Sequence, residues 1–141
     1  KFFALIMSPV GDCNLLEYYS LALNDPDKSS LLRSFFGCLA NALQYIHSIK
    51  IRHRDIKPHN ILVRGDRVFL TDFGIALDWE ELSRSTTTAD SGKTWVYAAP
   101  EVAKYEKRNT AADVWSLGCV FLEMATVLKG QALPTLRKFF E

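Results

Sequence analysis

The stretch His53-Arg54-Asp55-Ile56-Lys57-Pro58-His59-Asn60 gathers a carboxylate, an ammonium group and an amide into one short span. Asp55 can accept a proton from a hydroxyl nucleophile, Lys57 can neutralise charge on a group in transfer, and Asn60 offers a hard oxygen ligand for Mg²⁺. Pro58 fixes its own φ and keeps the span extended. Further along, Asp72-Phe73-Gly74 adds a second carboxylate, and Gly74 permits a backbone turn closed to larger residues. Singly, Asp55, Asn60 and Asp72 are ordinary solvated loop residues; their combination points to chemistry.

These groups need elements to hold them. Asn60-Ile61-Leu62-Val63 and Arg67-Val68-Phe69-Leu70-Thr71 are β-rich runs separated by Arg64-Gly65-Asp66, a hairpin signal. A hairpin returns the chain, so Asp72 comes back toward Asn60 and the pair can hold a metal. Upstream, Leu32, Phe35, Phe36, Leu39, Leu43 and Ile46 recur at steps of three and four, which predicts an amphipathic helix over 29–48. Asp27, Ser29 and Ser30 are its candidate caps. Asn14–Leu23 predicts a shorter helix, and Phe2–Met7 a buried strand stopped by Ser8-Pro9. Residues 78–93, rich in Ser and Thr, predict a long loop of the kind that often carries function. Ala111–Val127, apolar nearly all round, predicts a central buried helix, and Thr135–Glu141 the start of another after Pro134.

Composition narrows the class. The 141 residues carry 17 Lys+Arg against 16 Asp+Glu, a net charge of +1, which gives no reason to expect a nucleic-acid or anionic-membrane partner. Hydrophobic residues at 48% and aromatics at 12% exclude disorder for most of the chain. Cys13, Cys38 and Cys119 form no CxxC pair, which argues against a disulfide scaffold or zinc site and predicts an intracellular setting, cytoplasmic or nuclear. They read as small hydrophobes. Val114–Leu128 is interrupted by Ser116 and Glu123 and reads as too short and too polar to span a bilayer. The N-terminus lacks both an initiator Met and a signal-peptide cleavage site, so the chain is expected to begin in mid-domain.

The His53–Asn60 span resembles the H-R-D-x-x-x-x-N catalytic loop of the eukaryotic protein kinases, and Asp72-Phe73-Gly74 resembles their D-F-G. Ala99-Pro100-Glu101 matches A-P-E, and Asp113-Val114-Trp115-Ser116-Leu117-Gly118 is similar to the start of the buried helix F. The resemblance implies an α+β fold: a mainly helical C-terminal lobe with a short β-hairpin and the small lobe almost entirely absent. Residues 1–13 would be the last small-lobe strand and hinge, 14–141 the large lobe, and 72–101 the activation segment. By the same resemblance Asp55 is the catalytic base, Lys57 stabilises the γ-phosphate, and Asn60 and Asp72 hold the Mg²⁺ that bridges the ATP phosphates. His53 packs the loop, Asp113 holds it through backbone hydrogen bonds, and Arg54 receives an activation-loop phosphate on Thr86, Thr87 or Thr88. Met7 would be the gatekeeper, Ser8 and Val10 would face adenine, Asn14 would lie near the ribose, and Leu62 would form the floor.

Lys57 two residues after Asp55, and Thr94 through Glu101, resemble the serine/threonine form of these enzymes, in which Thr94 would bond the catalytic Asp and Lys. The implied activity is ATP- and Mg²⁺-dependent phosphorylation of Ser and Thr in protein substrates, with an upstream activating kinase as a further partner. Three features depart from the pattern. His59 stands where many relatives carry Glu, which makes a taste for arginine-rich substrates doubtful; the chain contains no Gly-rich loop; and it lacks the small-lobe lysine. The isolated chain is therefore expected to bind Mg·ATP weakly without turnover. The alternative is a pseudokinase-like nucleotide-binding or interaction module. A small-molecule phosphotransferase is disfavoured by Ala99-Pro100-Glu101 and the Ser/Thr-rich segment. His47 reads as a packing or capping residue, and Trp79, Trp95 and Trp115 as core or substrate-loop packing.

Overall fold

A computed structural model describes residues 8, 10–73, 77–78, 95–104 and 109–137. The expected strand at Phe2–Met7 and most of the long 78–93 loop lie outside them. In chain order the elements are β1 (Cys13–Asn14), α1 (Leu15–Asn24), α2 (Pro26–Ser48), β2 (Ile51–Arg52), a 3₁₀ turn (Pro58–Asn60), β3 (Ile61–Arg64), β4 (Arg67–Leu70) and β5 (Leu77–Asp78). A second 3₁₀ turn (Trp95–Tyr97), α3 (Pro100–Ala103), α4 (Thr110–Leu128) and α5 (Leu133–Arg137) complete them.

Asn14 is the N-cap of the first helix rather than its first helical residue. Its side chain accepts from the Glu17 amide at 3.0 Å while the Glu17 carboxylate accepts from the Asn14 amide at 2.9 Å, a capping box that satisfies two donors reciprocally. The second helix begins at Pro26 rather than at 29, and none of Asp27, Ser29 or Ser30 is its cap. Asp25 takes that role, accepting from the Asp27 and Lys28 amides at 2.9 and 3.2 Å. Pro26 explains the shift: its fixed φ suits the first helical position, where a missing N–H costs nothing. The apolar stripe of α2 turns inward as its spacing predicts, with Leu32, Phe35 and Leu39 fully buried. Phe36 lies at the edge, its ring 4.8 Å from that of Phe121 on α4.

The hairpin forms with Ile61 opposite Leu70 and Arg64 opposite Arg67, and Gly65 takes the left-handed backbone (φ +57) that its tight turn requires. β1 pairs with β3 to make a three-stranded antiparallel sheet in the order β1-β3-β4, and β2 pairs separately with β5. Asp12 fastens this sheet from outside, its carboxylate accepting from the Gly65 amide at 2.8 Å.

The helix α4 is capped by Asn109, which accepts from the Ala111 amide at 2.8 Å. It packs on α1 and α2 through Leu117, Val120, Met124 and Val127, yet it is not buried all round. Val114, Trp115 and Leu122 are 56%, 48% and 44% exposed, so Trp115 is no core residue and the expectation of a fully central helix is corrected. The whole of α4, which begins before the Val114–Leu128 stretch, is long and apolar enough to cross a bilayer by length and composition alone. Its buried face instead carries Asp113 and Glu123, both bonded to neighbouring segments, as a core helix of a folded domain does. The last helix starts at Leu133, with Pro134 in its first turn where the absent donor is tolerated. Cys13 and Cys119 are half-buried, and burial chiefly pushes both thiols up, as befits inert packing residues; Cys38 is exposed.

Candidate active site

The loop from His53 to Asn60 joins β2 to β3 and hangs from one buried carboxylate on α4. Asp113 accepts from the His53 amide through Oδ2 at 2.9 Å and from the Arg54 amide through Oδ1 at 2.8 Å. Arg54 needs that grip, because its φ of +72 is left-handed backbone that a residue with a Cβ adopts at a cost of about 1–2 kcal/mol. Hydrogen bonds to a charged group contribute about 1.5–3 kcal/mol each, enough to offset the strain. The imidazole of His47, in the last turn of α2, donates from Nε2 to Asp113 Oδ2 at 3.0 Å. His47 thus does more than pack or cap its helix.

His53 is fully buried and works as a two-ended strut. Its Nε2 donates to the Thr71 carbonyl at 2.9 Å and its Nδ1 accepts from the Asp55 amide at 3.3 Å, which fixes the neutral tautomer protonated at Nε2. Burial pushes its pKa below the ordinary 6.5, against the upward pull of the Thr71 carbonyl and the Asp113, Asp55 and Asp72 carboxylates. The ring of Phe73 lies 4.8 Å from the His53 ring. One imidazole therefore touches both halves of the site: the Asp55 loop and the segment leading to Asp72.

At the centre, Asn60 donates from Nδ2 to the Asp55 carbonyl at 2.9 Å and to Asp55 Oδ2 at 2.8 Å. Lys57 Nζ sits 2.8 Å from the same Oδ2. Asp55 is thereby aimed by two donors on one oxygen, which leaves Oδ1 as the oxygen for a hydroxyl proton. The Asn60 carbonyl accepts from the Thr71 amide at 2.9 Å and the Thr71 hydroxyl at 3.1 Å, so the strand end carrying Asp72 is tied to the loop carrying Asp55. Asp72 is exposed and has a φ of +62, a left-handed conformation that Asp tolerates better than most residues. Hairpin return brings Asn60 and Asp72 to the same end of the sheet, as their order in the chain predicts.

The donor set fits Mg²⁺. With Nδ2 committed to Asp55, the Asn60 side chain has a carbonyl oxygen to offer, and Asp72 adds an exposed carboxylate. Among the described residues no cluster of three or more His, Cys, Asp or Glu forms a closed metal cage. Mg²⁺ prefers such sparse sites, using one or two protein oxygens beside phosphate and water.

Of the residues expected to face a nucleotide, Ser8 and Val10 are exposed. Gly11 lies so close to Leu62 that a Cβ placed on it would stand 3.0 Å from the Leu62 Cβ, so the segment before β1 rests directly on the expected floor residue. Asn14, expected near a ribose, spends its side-chain oxygen on the cap of α1. Met7, Gly74, Thr86, Thr87, Thr88 and Thr94 lie outside the described residues.

A second buried pair, on the same helix as Asp113, was not anticipated. Tyr97 donates from its hydroxyl to Glu123 Oε1 at 3.0 Å, and the Ser116 hydroxyl donates to the Tyr97 carbonyl at 2.8 Å. These bonds fasten the segment before Ala99-Pro100-Glu101 to α4. Glu123 interrupting an apolar helix was the signal in the sequence, since a carboxylate on a buried face needs a partner. His47 offered a weaker one, as one of three histidines in the chain, at the end of the helix before the loop.

Known proteins extend these observations. The model of the protein kinase domain matches residues 1–131. The chain is 39% identical over 100 residues to the serine/threonine-protein kinase AtPK1/AtPK6 of Arabidopsis thaliana, a match covering 70% of this chain and 21% of that protein. It is 43% identical over 98 residues to human serine/threonine-protein kinase Nek10, covering 68% of this chain and 8% of that one. With the serine/threonine-protein kinase nekl-2 of Caenorhabditis elegans the identity is 32% over 132 residues, 90% of this chain and 34% of the relative. The chain thus spans between 8% and 34% of the length of these relatives. A family match over nearly all of the sequence, laid on a loop folded as described around Asp55, makes this chain a member of the protein kinase domain family.

Proposed function

We propose that the chain carries the catalytic centre of a protein serine/threonine kinase, which moves the γ-phosphate of ATP to a Ser or Thr hydroxyl. The observation that carries this is the convergence of Asn60 Nδ2 and Lys57 Nζ on one oxygen of Asp55, each at 2.8 Å. It aims the other oxygen at an incoming hydroxyl, whose proton Asp55 takes as the hydroxyl oxygen bonds to the γ-phosphorus and the bond from that phosphorus to the bridging oxygen breaks, releasing ADP. Lys57, held beside the base, is placed to neutralise charge on the phosphoryl oxygens in transfer. Asn60 and Asp72 would hold Mg²⁺, which when bound neutralises the ATP phosphates and orients them. The backbone of Ser8 and Val10 would face the adenine, with Leu62 as its floor. Arg54 would answer a phosphate on Thr86, Thr87 or Thr88, and Thr94 would orient the acceptor. Positioning and charge neutralisation suffice, because the transition state of phosphoryl transfer is loose.

The test is transfer of radiolabelled phosphate from ATP to a generic protein substrate, by the 141-residue chain and by the protein of its full reading frame. Asp55→Ala in the active form should lower transfer at least about a hundredfold, in the range expected for loss of a general base. Its circular dichroism and melting curve should match those of the unaltered protein. Transfer at wild-type rate by Asp55→Ala would refute the assignment. Saturable Mg·ATP binding without transfer in the full-length protein would favour a nucleotide-binding module instead.

A further inference from the structure

The hairpin of β3 and β4 ends in a like-charge pair that the sheet itself does not answer. Arg64 and Arg67 stand directly opposite each other across the ladder and close the turn at Gly65-Asp66. Opposed residues of a hairpin share a face, with Cα atoms about 5.5 Å apart or less, so the two cations repel. Both side chains are exposed, and among the described residues neither guanidinium makes an ion pair. Two carboxylates belong to the same tip. Asp12 accepts from the Gly65 amide at 2.8 Å, and Asp66, in the turn, pairs with neither arginine. The tip is also held still, because the Asp12 amide donates to the Val63 carbonyl at 2.8 Å, which ties the chain down on both sides of Arg64. Gly65 takes left-handed backbone (φ +57), and a Cβ placed on it would meet nothing within 4 Å, so the space over the turn is open.

Two guanidinium forks on a fixed, open ribbon match a phosphate monoester, which carries about −1.5 to −2 charge at neutral pH and three acceptor oxygens. A carboxylate would leave one cation unanswered. Alternation along the strands puts Leu62 and Phe69 on the same face as Arg64 and Arg67. Leu62 lies against Gly11, but Phe69 is half-buried and leaves apolar surface beside the charges. An apolar contact next to a dianion site suits a phosphorylated side chain in an extended protein segment better than free phosphate. Nucleic acids and membrane surfaces call for wider basic patches than one pair beside Asp12 and Asp66. We propose that the tip of the β3–β4 hairpin is a docking site for a phosphorylated Ser or Thr of a protein partner, gripped by Arg64 and Arg67 with Phe69 beside it. The tip stands at the far end of the hairpin from Asn60 and Thr71, so a docked partner leaves the surroundings of Asp55 free.

Binding measured without ATP tests the proposal, in the full-length protein and in its Arg64→Gln, Arg67→Gln double variant. The probe is a degenerate library of extended peptides with a fixed central phosphoserine, beside the same library with Ser or Glu at that position. The unaltered protein should retain the phosphoserine library at least about tenfold better than the Ser library, as charge-assisted contacts allow, and better than the Glu library. The double variant should lose that preference. Equal retention of phosphoserine and Ser, or of phosphoserine and Glu, by the unaltered protein would overturn the proposal, as would a preference that survives in the double variant. Arg67→Glu gives a readout that needs no ligand. An opposite-charge pair in place of a like-charge one should raise the melting temperature by roughly 1–3 °C and abolish the preference for phosphoserine. A lower melting temperature in Arg67→Glu would show that the two arginines are already satisfied in the fold, and the docking site would fall with that result. Because no step of the test uses phosphate transfer, failure of the phosphotransferase reading leaves it intact.

Discussion

His53 shows how one buried side chain can couple two motifs and expose them to pH. Its ring donates to Thr71 and accepts from Asp55, an arrangement available only to the neutral imidazole. Burial holds its folded pKa below 6.5, while in the unfolded chain it titrates near the ordinary value. As pH falls through 6.5 the unfolded state therefore takes up a proton that the folded state refuses, and stability declines until the lower folded pKa is reached. Melting temperature should thus fall between pH 7.5 and 5.5, and the slope should be shallower in His53→Gln. An equal slope in the variant would show that His53 is not the group responsible. At this scale the sequence was most readable where chemistry is contiguous. Asp55, Lys57 and Asn60 lie within one loop, and their mutual contacts follow from its shortness. The contacts of His47 and His53 with Asp113 span 66 and 60 residues, and no local pattern encodes them. Only the family resemblance pointed to Asp113.

Elements were legible where a periodic stripe or a turn residue left a mark, and less so at their ends. The stripe from Leu32 to Ile46 and the turn at Gly65 both appear where expected. The start of α2 was misplaced because Asp27, Ser29 and Ser30 are all capping types, and only Pro26 singles out Asp25. The capping box at Asn14 has a consequence beyond its own helix. Asn14 is also a residue of β1, paired with Leu62, so the cap ties α1 to the strand bearing the expected adenine floor. Asn14→Ala removes the acceptor for the Glu17 amide and should cost about 1 kcal/mol. For a domain of this size that lowers the melting temperature by roughly 3–5 °C. Asn14→Asp or Asn14→Ser should recover most of the loss, and thermal unfolding of the three variants measures it. No difference between Asn14→Ala and the unaltered chain would mean that the box is not formed in solution.

Across the whole molecule the least readable property was the two-sidedness of α4. An all-round apolar composition predicts burial on every side, but packing against α1, α2 and the Tyr97 segment consumes only one face. The opposite face, Ala111, Val114, Trp115, Gly118, Leu122 and Ala125, is exposed and carries no charge. Composition could not separate the faces, because both are apolar; the division came from Asp113 and Glu123, whose partners pull one side inward. A contiguous apolar strip on water favours association. The 141-residue chain should therefore self-associate at micromolar concentrations, where exposed hydrophobic surface drives assembly. Replacing two strip residues together, Trp115→Lys and Leu122→Glu, should shift light scattering and sedimentation toward the monomer. Stability should change by no more than about 0.5 kcal/mol per site, as is usual for surface substitutions away from caps and cores. Replacing Leu117 and Val120 of the inner face in the same way should instead unfold the chain, because both sides of the core close on them. A strip variant that unfolds, or an unaltered chain that stays monomeric, would show that the two faces of α4 are not divided in this way.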